Sequence, residues 1–430
     1  MPLDPAADAK RLATEIANIA GLRVVGVEDE SAWPEPMAPE AYIGLAGDFV
    51  RLVEPHTESD PAALLGNFLI GAGVLFGREA WALADGQKHY AVESLLTIGA
   101  TGSSRKGTAT GRVTPVLEAV DENFRAGHTL RGLSSGEGLI KAVSPKPSEI
   151  VLPGEVRTYL VVLSEFGGLL AVMKREGNTL SSVLRDAWDC VPLHVLTRKE
   201  PLRADGVNLS FIANVTPAEL LNSLTATDKA NGFANRFLML LVRRSKELPE
   251  GGGDAALGPI VVRLRAAIES AKGRGRIQRD AAARELWAEE YSKLTRPRDG
   301  MRGELCGRAE AHALRLSLIY ALLDSSDCIR TEHIKAAVAF WDYCERSIAY
   351  IFGAASGDAD RERILFALGA GPLTITELRR VFQNNRDSDW IKAKMATLVR
   401  AGIVILTFKE GDRKSSIPAW ALKGRATHHA

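Results

Sequence analysis

An apolar run, Leu95 to Ile98, empties into Gly99-Ala100-Thr101-Gly102-Ser103-Ser104-Arg105-Lys106-Gly107-Thr108, and a helical pattern begins where that loop ends. A buried strand, a loop of small residues, and a Lys and a Thr at a helix start form the layout that cradles nucleotide phosphates. The strict spacing G-x-x-x-x-G-K-[ST] is not kept, because Arg105 stands before Lys106 and Gly107 separates it from Thr108. The chemistry survives the change. Gly99, Gly102 and Gly107 permit close backbone approach, Lys106 can reach β- and γ-phosphates, and Thr108 or Ser104 can offer a hydroxyl to Mg2+. Arg105 either adds a phosphate contact or points to solvent. The same segment can also be read as a polar strand-to-helix loop with no ligand.

Bulk properties set bounds on this reading. The net charge of +1 in 430 residues gives no general pull toward nucleic acid, so such binding must come from local clusters. With 46% hydrophobic and 25% charged residues, the chain has an ordinary globular composition. Cys190, Cys306, Cys328 and Cys344 form no C-x-x-C pair, which predicts reduced core thiols rather than a metal site. The N-terminus lacks a charged region followed by an apolar one, and the apolar segments are broken by Gly or charge before membrane-spanning length. A cytoplasmic protein with no membrane partner is expected.

Along the chain, Asp8 to Ala20 reads as an amphipathic helix, Trp33 to Pro39 as a Pro-rich linker, and Pro61 to Leu83 as a long apolar helix. From Val92 to Arg244 strand-like runs alternate with helical ones, the pattern of a parallel sheet flanked by helices. Pro249 to Gly253 reads as a link, followed by three or four helices from Ile260 to Phe352.

Three strand ends complete the candidate site. Tyr159 to Leu163 delivers Ser164 and Glu165; in open α/β sheets ligands gather at the carboxyl ends of strands, so Glu165 is expected on an adjacent strand, beside the glycine loop. A carboxylate there orients attacking water and helps hold hydrated Mg2+, or merely caps the next helix. Asn208 to Ala213 ends in Asn214, which senses a γ-phosphate, positions water or satisfies loop backbone. Thr216, Pro217 and Glu219 then form a capped helix start. Arg236 precedes the strand Phe237 to Val242, where it either reaches a neighbouring subunit's γ-phosphate or forms a surface ion pair.

With these segments the chain resembles a family of helicase-like P-loop ATPases encoded by phages, plasmids and integrated elements, often fused to or beside primase-polymerase domains. The resemblance runs over Gly102 to Thr108, Leu133 to Ile140, Ser164-Glu165, Val195 to Lys199, Thr216 to Leu220, Asn231 to Leu238 and Arg308 to Leu316, within Pro61 to Tyr350. It implies that Gly102, Ser103, Ser104, Arg105, Lys106, Gly107 and Thr108 bind ATP, that Thr108 and Glu165 serve Mg2+, that Glu165 is catalytic, and that Arg236 acts in trans. Arg105 in place of Gly and Ser164 in place of Asp are departures from the family pattern.

Further segments suit a motor. Arg198 and Lys199, followed by Arg203, form a cationic hairpin that either lines a channel for single-stranded DNA or is a solvated turn. Glu137 lies in a capped helix start. Arg308 and Arg315 share a helix face, and Arg315 is the candidate second phosphate sensor, with His312 structural. In the terminal module three helical patterns precede Ile403 to Phe408 and Ile417 to Leu422, a hairpin. Three helices and a wing predict a winged helix, with Lys392, Lys394 and Arg400 on its third helix and Lys409, Arg413 and Lys414 at the tip as DNA contacts, or else a protein-contact module.

The expected fold is thus α/β, a RecA/AAA+-like P-loop NTPase core with a helical domain and a C-terminal winged helix. The divisions are 1–60, a helical arm and linker; 61–250, the core; 255–352, a lid-like helical domain; and 358–425, the winged helix. The expected function is an ATP-dependent DNA helicase or translocase replicating a mobile element, acting on single-stranded or forked DNA as a homo-oligomeric ring, a hexamer, with a primase as candidate partner. The alternatives are a DNA-binding regulatory or scaffold protein whose nucleotide switches assembly, and a defence or partition ATPase.

Overall fold

The computed structural model describes residues 33–145, 155–196, 201–225, 228, 231–298, 300–352, 359–369, 371–382, 386–400, 402–410 and 416–423. The helix expected over Asp8 to Ala20 lies outside the described residues, as do Arg198, Lys199, Arg413 and Lys414. The chain forms two compact units, Pro34–Ile348 and Met1–Trp33 with Ala349–Ala430.

In the larger unit the strands up to the last one of the parallel sheet are β1 (Ala80–Ala84), β2 (Gln87–His89), β3 (Ser94–Ile98), β4 (Thr129–Leu130), β5 (Arg157–Leu163), β6 (Leu193–Val195), β7 (Leu202–Ala204), β8 (Val207–Val215) and β9 (Leu238–Leu241). Five of them form an all-parallel sheet in the order β4-β5-β8-β3-β9, flanked by helices and compatible with a RecA-like core. Every residue of β3, β8 and β9 is buried, as expected of parallel strands covered on both faces. Register sets the site: Ile98 pairs with Val215 and Leu163 with Ala213, so the glycine loop, Ser164-Glu165 and the Asn214 region all emerge at one end of the sheet. The strand carrying Glu165 is not adjacent to the one feeding the glycine loop. β8 lies between them, because its run of apolar and small residues suits it to the centre.

The helix Pro61–Phe76 packs on this sheet closely enough that a Cβ on Gly66 would lie 2.9 Å from Leu240 and 3.0 Å from Leu95. It stops at Gly77, whose φ of +66° ends the helix, and does not run to Leu83. Trp81 to Leu83 instead belong to β1, which turns through Asp85-Gly86, both at positive φ, into β2. Of the described residues ahead of Pro61, Gly44–Val53 packs on Pro61–Phe76, with Phe49 and Phe68 stacked at 4.5 Å.

The helices after the sheet share its unit and do not form a separate lid. Gly258–Ala271 packs on Lys106–Val120 and on Ala309–Leu323, and in the last of these every residue but Glu310 is buried. The glycine link is fastened to the core, His56 Nδ1 lying 2.8 Å from the Gly252 carbonyl. Each Leu or Ile buried in this way contributes about 1.5–3 kcal/mol, which accounts for one cohesive unit.

In the smaller unit, Ala359–Leu368, Ile375–Val381 and Ser388–Arg400 are helices, and Leu373–Thr374, Val404–Glu410 and Ser416–Leu422 form a three-stranded antiparallel sheet. Ile364, Leu378, Ile391, Met395, Leu398 and Trp420 make its core. The second helix opens with a capping box, Thr374 accepting from the Glu377 N–H at 3.3 Å and the Glu377 carboxylate accepting from the Thr374 N–H at 2.8 Å. Among the described residues no helix is long and apolar enough to cross a membrane.

Candidate functional site

The loop from Gly99 to Arg105 is folded by its own small residues. Gly99 has no room for a side chain, since a Cβ there would lie 2.6 Å from Ser104 Oγ and 2.8 Å from the Val242 carbonyl. Ser104 is buried and its hydroxyl donates to the Ala100 carbonyl at 2.6 Å. Thr108 is half-buried and its hydroxyl has no partner among the described residues. Gly102 lies at φ +70° with open space beside it, and Gly107 faces open space as well. The N–H groups of Gly102, Lys106 and Gly107 make no hydrogen bond among the described residues, which leaves donors at the start of a 15-residue helix where an anion is stabilised.

Arg105 stands where the strict pattern has Gly, and its backbone keeps a glycine-like φ of +54°. Its side chain is half-exposed and paired, with Nε 2.6 Å from Glu58 Oε2. Lys106 Nζ donates to the carbonyls of Gly99, at 3.1 Å, and Ala100, at 3.3 Å, so it folds back over the loop. Burial lowers the Lys106 pKa, and the Glu219 carboxylate opposes that shift.

Glu165 occupies the N-cap position of Phe166–Met173, but its side chain makes no cap bond. It is exposed and unpaired among the described residues, so the carboxylate is available to solvent. Two strand spacings separate its strand from β3, about 10 Å, which leaves width for a phosphate and a water. Between them Asn214 is 7% exposed, and its Oδ1, like Thr97 Oγ1 opposite it on β3, has no hydrogen-bond partner among the described residues. A buried orphan of this kind costs about 1–3 kcal/mol, a cost relieved when a donor binds. Ser103 is exposed at the rim of the loop.

Glu219 follows Thr216 at the spacing of a capping box. Thr216 does accept from the Glu219 N–H, at 3.2 Å, but the carboxylate turns away to Gly167, where an added Cβ would lie 1.9 Å from Oε1. Its place in the first turn after the central strand was the available signal.

No family model and no curated protein matches this chain.

The two arginines assigned phosphate roles lie at the other end of the strands. Arg315 is 2% exposed, donates to the carbonyls of Val92, at 2.8 Å, and Trp188, at 2.9 Å, and stacks 3.6 Å from the Trp188 ring centroid. Val92 precedes β3, so this side chain is a staple at the amino end and no sensor for the glycine loop of its own chain. Arg236 is 6% exposed, donating to Asp189 at 2.7 Å and to the Gly232 carbonyl at 2.6 Å. Any reach toward a neighbour requires breaking both bonds. Arg308 sits beside them, 3.7 Å from Asp189 and 4.9 Å from the Trp188 ring. His312 is structural: its ring nitrogens lie 2.9 Å from Glu93 Oε2 and 2.9 Å from the Asn235 carbonyl. Glu137 accepts from Thr179 at 3.2 Å inside a helix start capped by Ser135.

Of the cationic hairpin, the flanks β6 and β7 are paired antiparallel, and Arg203 is bound to Asp205 at 2.8 Å. In the smaller unit Lys409 is not free, since Glu377 holds it at 2.7 Å and has its own carboxyl pKa lowered as a result. Lys392 lies 3.5 Å from Asp389, and Lys394 lies 5.5 Å from the Trp390 ring centroid. Arg400 bonds to its own helix, at the Ala396 carbonyl. A cleft of about 700 Å3 opens at the amino end of the sheet, lined by Arg78, Tyr90, Arg157 and Asp205. It stands away from the glycine loop, at the end of a parallel sheet where ligands do not gather.

Proposed function

We propose that the chain is an ATP hydrolase of the helicase-like P-loop type, driving translocation on single-stranded or forked DNA during replication of a mobile element. The observation that carries this reading is the convergence of Lys106, Thr108, Glu165 and Asn214 at the carboxyl end of one parallel sheet. Lys106 moves from the loop carbonyls to the β- and γ-phosphates, and the unpaired N–H groups of Gly102, Lys106 and Gly107 take the phosphate oxygens. Glu165 holds the attacking water and accepts its proton, and Asn214 gives its amide to the γ-phosphate or to that water. Mg2+ fits a site with one hydroxyl and one distant carboxylate, since this ion keeps several waters; Thr108 would hold it directly and Glu165 through water, and it would neutralise charge on the phosphates. Arg236 acts from a neighbouring protomer of a hexameric ring once released from Asp189, and a primase is the candidate partner.

The smaller unit is read as a winged helix that grips duplex or fork phosphates through Lys392 and Lys394 on its third helix, with Lys409, Arg413 and Lys414 on the wing. The test is ATP turnover with and without single-stranded DNA, together with imaging of the protein bound to a non-hydrolysable ATP analogue. Stimulated turnover in a ring supports the motor. Nucleotide-dependent assembly with no turnover supports the scaffold alternative.

A further inference from the structure

The turn from Gly273 to Gly275, both at positive φ, carries the chain back against β1, where Gly275–Arg276 pairs with Ala80 and Trp81. Ile277 is buried and donates its N–H to the Trp81 carbonyl at 2.8 Å, after which Gln278–Arg279 pairs with Cys328–Ile329. Asp280 then caps the helix Ala281–Leu294, its carboxylate accepting from the Ala283 N–H at 2.7 Å, and the first turn of that helix adds Arg284. Between these elements lies a hollow of about 160 Å3. Its wall is apolar and buried, formed by Ala82, Leu314 and Ile329, and its cations are Arg276, Arg279 and Arg284; no acid among the described residues lines it.

No carboxylate neutralises these arginines. Arg276 is exposed and its side chain makes no hydrogen bond or ion pair among the described residues, while Arg284 bonds only the Asp280 carbonyl, at 3.3 Å. Arg279 rests 4.0 Å from the Trp287 ring centroid, and its Nε is buried with no partner among the described residues. Burial alone lowers its pKa to about 10. Lys88 pairs across from Leu83, which also lines the hollow, and its Nζ lies 4.4 Å from the Trp81 ring centroid with no ion pair among the described residues. Exposed arginines are ordinary on a surface, whereas a buried guanidinium N–H left without an acceptor on the wall of a hollow calls for one. An anion against so apolar a wall gains more from each charge than it would in water.

We propose that this hollow is an oxyanion site that takes one phosphate group. Three guanidinium forks on separate elements suit a tetrahedral group better than a planar carboxylate. Pockets for whole drug-sized ligands run about 300–1,000 Å3, so the hollow holds the phosphate and leaves the rest of a larger ligand outside. Two sources present that chemistry, inorganic phosphate and the backbone of a single nucleic-acid strand. The site shares no residue with the glycine loop and does not depend on what that loop binds.

The experiment measures the urea midpoint of the full chain in inorganic phosphate and in chloride of equal ionic strength. It compares the wild type, Arg279→Gln, the double variant Arg276→Gln with Arg284→Gln, and Lys106→Ala. Phosphate raises the wild-type midpoint, as any ligand of the folded state does. Both arginine variants lose that rise, their phosphate affinity falling about tenfold or more, and Lys106→Ala keeps what they lose. A merely structural role moves the chloride midpoint and leaves the phosphate increment alone. The double variant changes exposed side chains only, so it decides the matter even if Arg279→Gln does not fold. Fluorescence anisotropy of a labelled oligothymidylate separates the sources: weaker strand binding in both arginine variants assigns the site to a strand phosphate, and unchanged strand binding with the rise lost assigns it to free phosphate. Either result supports the site. A rise that vanishes in Lys106→Ala and survives in the arginine variants belongs to the glycine loop and overturns the inference, as do equal midpoints in phosphate and chloride together with unchanged strand affinity.

Discussion

Arg105 reaches back 47 residues to Glu58, with Nε and Oε2 2.6 Å apart. Glu58 also accepts from Arg244 and, at 2.8 Å, from the Leu248 N–H, so the loop that precedes Lys106 is tied to the chain on both sides of the sheet region. The arginine that breaks the strict phosphate-loop spacing is therefore an anchor for the loop.

Arg105 sits at φ +54°, a region that costs a side-chain-bearing residue about 1 kcal/mol and costs Gly almost nothing. Arg105→Ala and Arg105→Gly lose the same ion pair, and only the second relieves the backbone. Urea unfolding is expected to find the Gly variant more stable than the Ala variant by about 1 kcal/mol. Equal midpoints would falsify the left-handed assignment.

The Leu248 N–H, then Arg244 and Arg105, lower the Glu58 pKa from 4.5 to about 2. The folded value lies below the unfolded one, so the stability it contributes is present above pH 4.5 and is lost as pH falls toward 2. Comparing wild type with Glu58→Gln by urea unfolding at descending pH should show the wild-type advantage shrinking across that window. An advantage that stays constant through it would mean that the carboxylate is not held this way.

Glu165→Gln removes the base while leaving the glycine loop intact. Turnover is expected to fall by about a hundredfold or more, with ATP affinity nearly unchanged. Turnover persisting in the variant removes Glu165 from its role.

Arg315→Lys cannot reproduce two carbonyl bonds and a stack on Trp188. Stability should drop by about 2 kcal/mol or more, with nucleotide affinity of the folded protein unaffected. A selective loss of affinity for triphosphate over diphosphate, at full stability, would restore the sensor role.

Replacing Lys392 and Lys394 together with Ala should lower the slope of log affinity for forked DNA against log salt by about two. An unchanged slope would remove the third helix from the DNA contact.

The strands beginning near Leu95, Tyr159, Asn208 and Phe237 were legible because parallel strands buried on both faces read as unbroken apolar runs, and the start at Thr374 because its cap is encoded within four residues. The alternation of these runs with helical ones determined an α/β sheet, with Glu165 and Asn214 at strand ends and Lys106 at the close of the loop that follows another. Only the tertiary structure decided which strand lies between which, that Glu219 leaves its cap for Gly167, and that Arg236 and Arg315 close on Asp189 and Trp188 at the other end of the sheet. Local periodicity records which face of an element is buried. Long-range partners are chosen by charge and space that the chain shares only once it has folded.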